Sequence, residues 1–520
     1  MKLVAGRSNG RQRGLALALT LAVALAAVAL ASLGSAPGAS GRPLGALVVG
    51  VATEEMKGTS DNGAGFYGLM RSANLSMSRI VVTWDPSNPM DIREHAAIAG
   101  AADQAIARGI TVLFVVTGVN PRVFGPAENR MMFPAYLQHL ARQFPQVKNY
   151  VVGNEPNVTY FWRPQFDEAG QPVSPAAFVD LLARSYDALK AIDPSIRVSG
   201  GGLDARGNDD PNAVSNISIS PTRFIHYMGV AYRQSGRTTP IMDELSFHPY
   251  PASAKDAVGR SYAWPNAGIA DLDRLKQALW DAFRGTGQPT VEEGLRFNLN
   301  ETGWQVEISS ANTPAYYGRE VSDVTDEATQ AGNYAEMIRY LACDPSVRSV
   351  LIYRFMDDAN LAQWQSGMIR ADGSRRQSFD TVRDTVAQTG GMCAGQERAF
   401  RHETGVVGAA ATFRLGRKPV RGTSFNFSVT AEESATSESK IMRVPTKAGL
   451  SRSQRANVGA YFGQTSVAGA TGSVQARWVP LVQFPAKRQK AGWYVYAVKL
   501  SAELNPERTT TFVSGAFRIG

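Results

Sequence analysis

Two short phrases in this chain carry residues able to do chemistry: Gly153-Asn154-Glu155-Pro156-Asn157 and Leu299-Asn300-Glu301-Thr302-Gly303-Trp304. Each puts a glutamate directly after an apolar, β-rich run, and the two glutamates are 146 residues apart. A buried strand end is a costly place for a carboxylate unless it is used or paired. Two carboxyls facing one another can divide the labour of acetal cleavage. One keeps a proton for the departing oxygen, and the other stays ionised to attack the anomeric carbon. At a separation of roughly 5 Å their charges repel, so their pKa values are forced apart, and burial widens the split. That separation favours a covalent intermediate with retained configuration, whereas about 6.5–9.5 Å leaves room for water and gives inversion.

The elements that must position these groups alternate along the chain. Apolar, strand-like segments are expected at 44–52, 78–83, 111–117, 150–152, 197–199, 244–248, 296–300 and 350–353. Helical segments are expected between them at about 92–108, 134–144, 174–192, 271–283 and 325–341. Ser174 is the expected N-cap of the third, with Pro175 at its first helical position. Eight strands alternating with helices predict a closed (β/α)8 TIM barrel, with Glu155 after the fourth strand and Glu301 on the seventh. Both then stand on the C-terminal rim, where barrel active sites form. After about residue 396 helical periodicity stops. Short alternating runs separated by Gly, Pro and Ser predict a small antiparallel β-sandwich domain.

At 520 residues the chain exceeds one ordinary core. Its expected parts are a leader over 1–40, a catalytic barrel over 41–395 and the β-sandwich over 396–520. The leader has a basic head (Lys2, Arg7, Arg11, Arg13), an Ala/Leu/Val run from Leu15 to Leu33, and small residues after it. That order reads as an export signal. The run is also just long enough to span a bilayer, so a membrane anchor is the alternative if it stays uncleaved. The expected location is secreted or in the cell envelope. In an oxidising compartment Cys343 and Cys393 are expected to form a disulfide. The net charge of +9 is uneven. Residues from 396 onward hold about 18 basic and 7 acidic side chains, while the barrel region is acidic. A basic module of this kind suits an anionic cell-wall polymer or membrane, the alternative being a generic solvated surface.

Other chemistries lack their residues. The five histidines (His95, His139, His226, His248, His402) are scattered without a His-x-His or His-x-x-x-His pair, so no metal site and no cofactor are expected. There is no Gly-x-Ser-x-Gly elbow. Arginines and aromatics interleave too sparsely for nucleic-acid binding.

With both glutamate phrases in place, the chain resembles the clan A glycoside hydrolases, in the manner of families 5 and 39, over roughly residues 44–390. The resemblance implies that Glu155 is the acid/base and Glu301 the nucleophile of a retaining glycosidase acting on an oligo- or polysaccharide. It implies that Asn154 bonds the sugar 2-hydroxyl and that Arg79 keeps the nucleophile ionised. His248-Pro249-Tyr250 is similar to the clan's His-x-Tyr, whose tyrosine bonds the nucleophile. Trp84 and Trp304 are candidate faces for a sugar ring. Family 5 carries a tryptophan at the end of strand eight, where this chain has Tyr353-Arg354-Phe355. Trp364 is the candidate replacement, within a stretch to Gly373 similar to the clan's closing segment. Family 5 also carries a histidine near strand three, where this chain has Thr117-Gly118-Val119-Asn120. A transglycosidase using the same pair, and a catalytically silent carbohydrate-binding barrel, are the alternatives. Trp478, Tyr494 and Tyr496 are candidate sugar platforms in the β domain, whose other expected role is to pack against the barrel and stabilise it.

Overall fold

The structure is a computed structural model describing residues 45–414, 424–452, 466–474, 482–485 and 490–519. Residues 1–44, which include the leader, and Trp478 lie outside the described residues. Eight parallel strands close on themselves, each followed by a helix. In chain order they are β1 (Val48–Ala52), α1 (Ala64–Ser72), β2 (Met77–Trp84), α2 (His95–Ala107), β3 (Thr111–Gly118) and α3 (Ala127–Gln143). Then come β4 (Asn149–Val152), α4 (Ser174–Ile192), β5 (Arg197–Asp204), α5 (Pro221–Gln234), β6 (Glu244–His248) and α6 (Leu272–Phe283). β7 (Arg296–Thr302), α7 (Glu327–Ala342), β8 (Val347–Ile352) and α8 (Gln377–Thr389) complete the barrel, and β1 pairs with both β2 and β8.

Because strand side chains alternate sides, each strand feeds two cores. Ile80, Val82, Phe114, Val116, Tyr150, Val152, Phe247 and Leu299 face outward and pack with the helices. Ala52, Met77, Leu113, Val115, Val151 and Leu351 form a separate cluster inside the barrel. The interior also holds a buried polar group. The Arg348 guanidinium on β8 pairs with Glu244 on β6, whose Oε2 also accepts from Ser199 Oγ at 3.0 Å. Strands buried on both faces explain the near-continuous apolar runs.

Several boundaries differ from the sequence expectation. α3 begins at Ala127 and runs through Pro134 rather than starting there. Its first turn is held from outside the helix. Asn129 Nδ2 donates to Val123 O at 2.7 Å, and Arg130 Nη1 donates to Phe124 O at 2.9 Å and pairs through Nε with Asp180 at 2.9 Å. These ties offset the hydrogen bond that proline cannot make. The Ser174 hydroxyl does not cap α4; it donates to Gln165 Oε1 at 2.8 Å. β5 continues through Gly200-Gly201-Gly202 to Asp204, with a register slip against β6 between Gly200 and Leu203.

The C-terminal region is a small antiparallel β domain. β9 (Ala410–Arg414), β10 (Ser424–Thr430) and β13 (Val482–Pro485) form one sheet in the order β13-β10-β9. β11 (Ala435–Val444), β12 (Ser466–Val474), β14 (Gly492–Ala502) and β15 (Thr509–Val513) form the other in the order β12-β11-β14-β15, and β16 (Phe517–Ile519) also pairs with β14. Phe413 of the first sheet meets Tyr496 of the second with ring centres 6.1 Å apart, over a core that includes Val429, Ile441, Val498 and Leu500. β11 (Ala-Thr-Ser-Glu-Ser-Lys-Ile-Met-Arg-Val) and β12 (Ser-Val-Ala-Gly-Ala-Thr-Gly-Ser-Val) escaped the sequence reading. One is mostly polar and the other is rich in small residues, so neither has strong β propensity.

Helix α6 joins the two regions, which belong to one compact unit spanning 46–520. Arg508, 3% exposed, forks to Glu433 through two 2.6 Å bonds and reaches Asp281 on α6 at 3.0 Å. Trp280 stacks on His402 at 4.0 Å, and Glu403 N donates to Gln277 Oε1 at 2.7 Å. Cys343, just after α7, is disulfide-bonded to Cys393, just after α8. Replacing Arg508 by Met strips two buried carboxylates of their shared cation. The expected cost is about 3–5 kcal/mol, read as a lower melting temperature; an unchanged melting temperature contradicts the latch.

Candidate active site

Glu155 reaches the rim through a sharp exit from β4. Gly153 turns the chain at φ +79°, and Glu155 itself sits at φ +39°, a left-handed conformation that costs a non-glycine residue about 1–3 kcal/mol. The turn is held by Gly153 N donating to Val116 O at 2.9 Å and Glu155 N donating to Gly202 O at 3.1 Å. The result is a glutamate only 8% exposed, beside the equally buried Asn154. Glu301 comes from β7, where a register slip against β8 between Leu299 and Thr302 lets its side chain join the barrel interior. It too is 8% exposed.

Three side chains surround the glutamates. Arg79 shares the inward parity of Met77 on β2, and its Nη1 donates to Glu301 Oε1. Tyr250, just past β6, donates its hydroxyl to Glu301 Oε2 at 2.9 Å. His248, the last residue of β6, stands between the carboxyls: Nδ1 is 2.7 Å from Glu155 Oε1 and Nε2 is 3.7 Å from Glu301 Oε1. One oxygen of Glu155, one of Glu301 and one His248 nitrogen all lie within 4.8 Å of each other. Gly202 makes room for this. A Cβ there would lie 2.7 Å from His248 Nε2, and its φ of +55° already disfavours any other residue.

The surroundings push the two carboxyls in opposite directions. Burial pushes Glu155 up to about 7; the His248 hydrogen bond pulls it down, and the negative charges of Asp204 and Glu301 lift it. Burial also resists ionisation of Glu301. There the Arg79 charge, His248, and the hydrogen bonds from Arg79 and Tyr250 outweigh it and hold the group below the usual carboxylate range. In distance alone the Glu155–His248–Glu301 trio could converge on a cation. Glu301 Oε1 already accepts from the buried Arg79 guanidinium, and a second cation there would meet like charge.

Of the aromatic candidates, Trp364 packs on Tyr250, whose hydroxyl bonds Glu301. It is 37% exposed, with its ring 5.1 Å from Tyr250 and 5.6 Å from Tyr353. Trp84 and Trp304 are not sugar platforms. Trp84 is fully buried outside the barrel, stacked on Phe124 at 5.8 Å and meeting Phe133 at 5.1 Å. Trp304 is 1% exposed, packs edge-on to Tyr334, and donates to Asp256 O at 2.8 Å. In the β domain, Tyr494 and Tyr496 are core residues, 1% and 3% exposed. The sequence reading missed two residues at the site. Tyr353, directly after β8, supports Trp364 and feels the charge of Glu301. Asp204 ends β5 and bears electrostatically on Glu155. Asp204 lies beyond the expected end of the fifth strand at residue 199, so the strand-end criterion that picked out both glutamates passed over it.

No protein-family model and no curated protein sequence matches the chain. Among solved structures it is similar to a family 39 glycoside hydrolase from the gut symbiont Bacteroides cellulosilyticus WH2, at 16% identity over 79% of this chain and 74% of that one, with a TM-score of 0.48. It is similar to a glucosidase from Croceicoccus marinus, at 13% identity over 85% and 93% of the two chains, TM-score 0.45. It is also similar to a family 1 β-glucosidase from Thermotoga maritima, at 12% identity over 67% and 98%, TM-score 0.44.

Two glycines with left-handed backbones separate crowding from conformational strain. Gly202→Ala brings a methyl group against His248, whereas Gly236→Ala, at φ +69°, meets no atom within 4 Å. Both carry the backbone cost of about 1 kcal/mol or more. Gly202→Ala is expected to melt several degrees lower than Gly236→Ala; equal melting temperatures contradict the tight approach to His248.

Proposed function

We propose that this protein is a retaining glycoside hydrolase, with Glu155 as acid/base and Glu301 as nucleophile. The observation that carries this reading is the pair itself: two buried carboxyls with oxygens within 4.8 Å, one biased toward its acid form and one toward its anion. That spacing favours double displacement over direct attack by water.

In the first step the Glu301 carboxylate attacks the anomeric carbon as the Glu155 proton passes to the glycosidic oxygen. The bond to the leaving group breaks and a glycosyl ester forms on Glu301. In the second step Glu155, now ionised, takes a proton from water whose oxygen attacks the same carbon, and the ester bond breaks to free Glu301. Arg79 and Tyr250 keep Glu301 anionic before attack and stabilise it again on departure. Asn154, next to Glu155 in the chain, is assigned to the sugar 2-hydroxyl, and Trp364 over Tyr250 offers a flat apolar face to the ring.

The substrate class is an oligo- or polysaccharide met outside the cytoplasm. The basic, apolar order of residues 1–40 and the Cys343–Cys393 disulfide support export. The excess of basic residues after 396 supports contact with an anionic wall polymer.

Activity requires Glu301 ionised and Glu155 protonated, so kcat/KM should rise as pH passes upward through the depressed Glu301 pKa and fall through about 7. Glu301→Gln should abolish turnover of an aryl-glycoside panel. Glu155→Ala should slow poor leaving groups by about 10²–10⁴-fold while barely touching glycosylation by dinitrophenyl glycosides, which need no proton. Undiminished turnover by Glu301→Gln sinks the assignment.

A further inference from the structure

A cavity of about 840 Å³ opens between the barrel and the β domain, and none of the residues assigned above to the glycosidic site lines it. One wall comes from α5, from the segment between β6 and α6, and from α6; the other comes mainly from residues 399–408 and 430–433. Ligand pockets commonly span about 300–1,000 Å³ and favour domain junctions.

Three polar groups border this cavity without a hydrogen-bond partner among the described residues. Thr222, in the first turn of α5, is 4% exposed, and its Oγ1 bonds nothing. Leaving a buried hydroxyl unpaired costs the folded state free energy. His226 lies one turn later on the same helix face and is half-buried, with both ring nitrogens unpaired. Burial pulls its imidazole below the usual range; Asp281 and Glu503 pull it up, and Arg223 and Arg233 pull it down. A neutral imidazole offers one donor and one acceptor. Trp264, also half-buried, has an unpaired indole N–H. Its ring borders the cavity and carries the Arg223 guanidinium 5.2 Å from its centre.

The charges around the cavity narrow the ligand class. Carboxylates outnumber guanidiniums in the lining, which disfavours an anion. The buried carboxylates are already matched, which leaves little for a cation. Asp271 accepts from Tyr262 N at 2.7 Å and Gly268 N at 3.0 Å, and Asp281 and Glu433 share Arg508. Two aromatic rings of the lining already face cations of this chain, Trp264 under Arg223 and Phe400 under Lys276 at 5.9 Å. Among the described residues, the one group of His, Asp and Glu side chains close enough to share a metal ion is Glu155, His248 and Glu301.

We propose that this cavity is a non-catalytic binding site for a neutral oligosaccharide, whose hydroxyls meet Thr222 and His226 and whose ring lies on Trp264. A saccharide brings what the lining lacks, hydroxyls that both donate and accept and a C–H face for an indole. The inference goes beyond the glycosidase reading, because it concerns other residues and stands or falls without the glutamates.

The test uses the full chain carrying Glu301→Gln, with and without a cavity substitution. Each protein is applied to a printed array of neutral and uronate-containing oligosaccharides, and the neutral oligosaccharide bound most strongly is then titrated by calorimetry. Thr222→Val keeps the side-chain shape and removes the unpaired hydroxyl. It should melt at or above its parent while weakening binding about fivefold or more. Trp264→Ala should weaken binding about tenfold or more, and His226→Ala should also weaken it. An array without neutral ligands, a preference for uronates, or unchanged affinity in both Thr222→Val and Trp264→Ala overturns the proposal.

Discussion

The ion pair between Arg79 and Glu301 is the constraint on which the site depends. Two carboxyls held this close in a buried cavity cannot both carry charge without compensation. The barrel supplies one guanidinium, and supplies it to one of them. Glu301 therefore has an internal counter-ion and a tyrosine hydroxyl, while Glu155 has an imidazole and two negative neighbours. Removing the cation would leave an unmatched buried charge, a defect worth several kcal/mol. The asymmetry between the glutamates is thus set by which strand carries the arginine, and β2 places it on the inward face with Met77.

The remaining geometry serves that asymmetry. His248 can sit between the carboxyls because Gly202 lacks a side chain, and Gly202 is available because β5 slips register against β6. The same slip brings the end of β5 against the Glu155 loop, where Asn157 fastens it. Glu155 accepts a left-handed backbone to complete the arrangement. Strain of this kind persists only where surrounding contacts over-determine the conformation. Here those contacts are the Glu155–Gly202 and Asn157–Asp204 hydrogen bonds. Farther out, α6 carries the contacts of Asp281, Trp280 and Gln277 with the β domain, so that domain braces a barrel helix.

Much of this was legible in the chain because it depends on order and period. The eight apolar runs, their alternation with helices, and the two strand-end glutamates are sequence features, and the barrel follows from them. Arg79 and Tyr250 were reachable through family likeness, and both bond Glu301. What escaped depends on parity and register. Trp84 lies five residues after Arg79 on one strand, so an inward Arg79 requires an outward Trp84, a deduction available from the period of two alone. Trp304 follows the Leu299–Thr302 register slip, so strand parity could not place it. Asp204 was hidden because three glycines suggested the strand had ended, when they mark a bulge that carries it to the rim. In the β domain, Tyr494 and Tyr496 have the residue type of sugar platforms but the alternation of a buried face.

The most direct test of the central claim is to trap the covalent intermediate. The full chain is incubated with a panel of 2-deoxy-2-fluoro glycosyl fluorides, which form the glycosyl ester quickly and release it slowly, and is then digested for peptide mass analysis. The account predicts one added glycosyl mass, carried by the peptide containing Glu301 and absent from Glu301→Gln. A label on Glu155, or hydrolysis of natural saccharide with inverted configuration and no label anywhere, would contradict it.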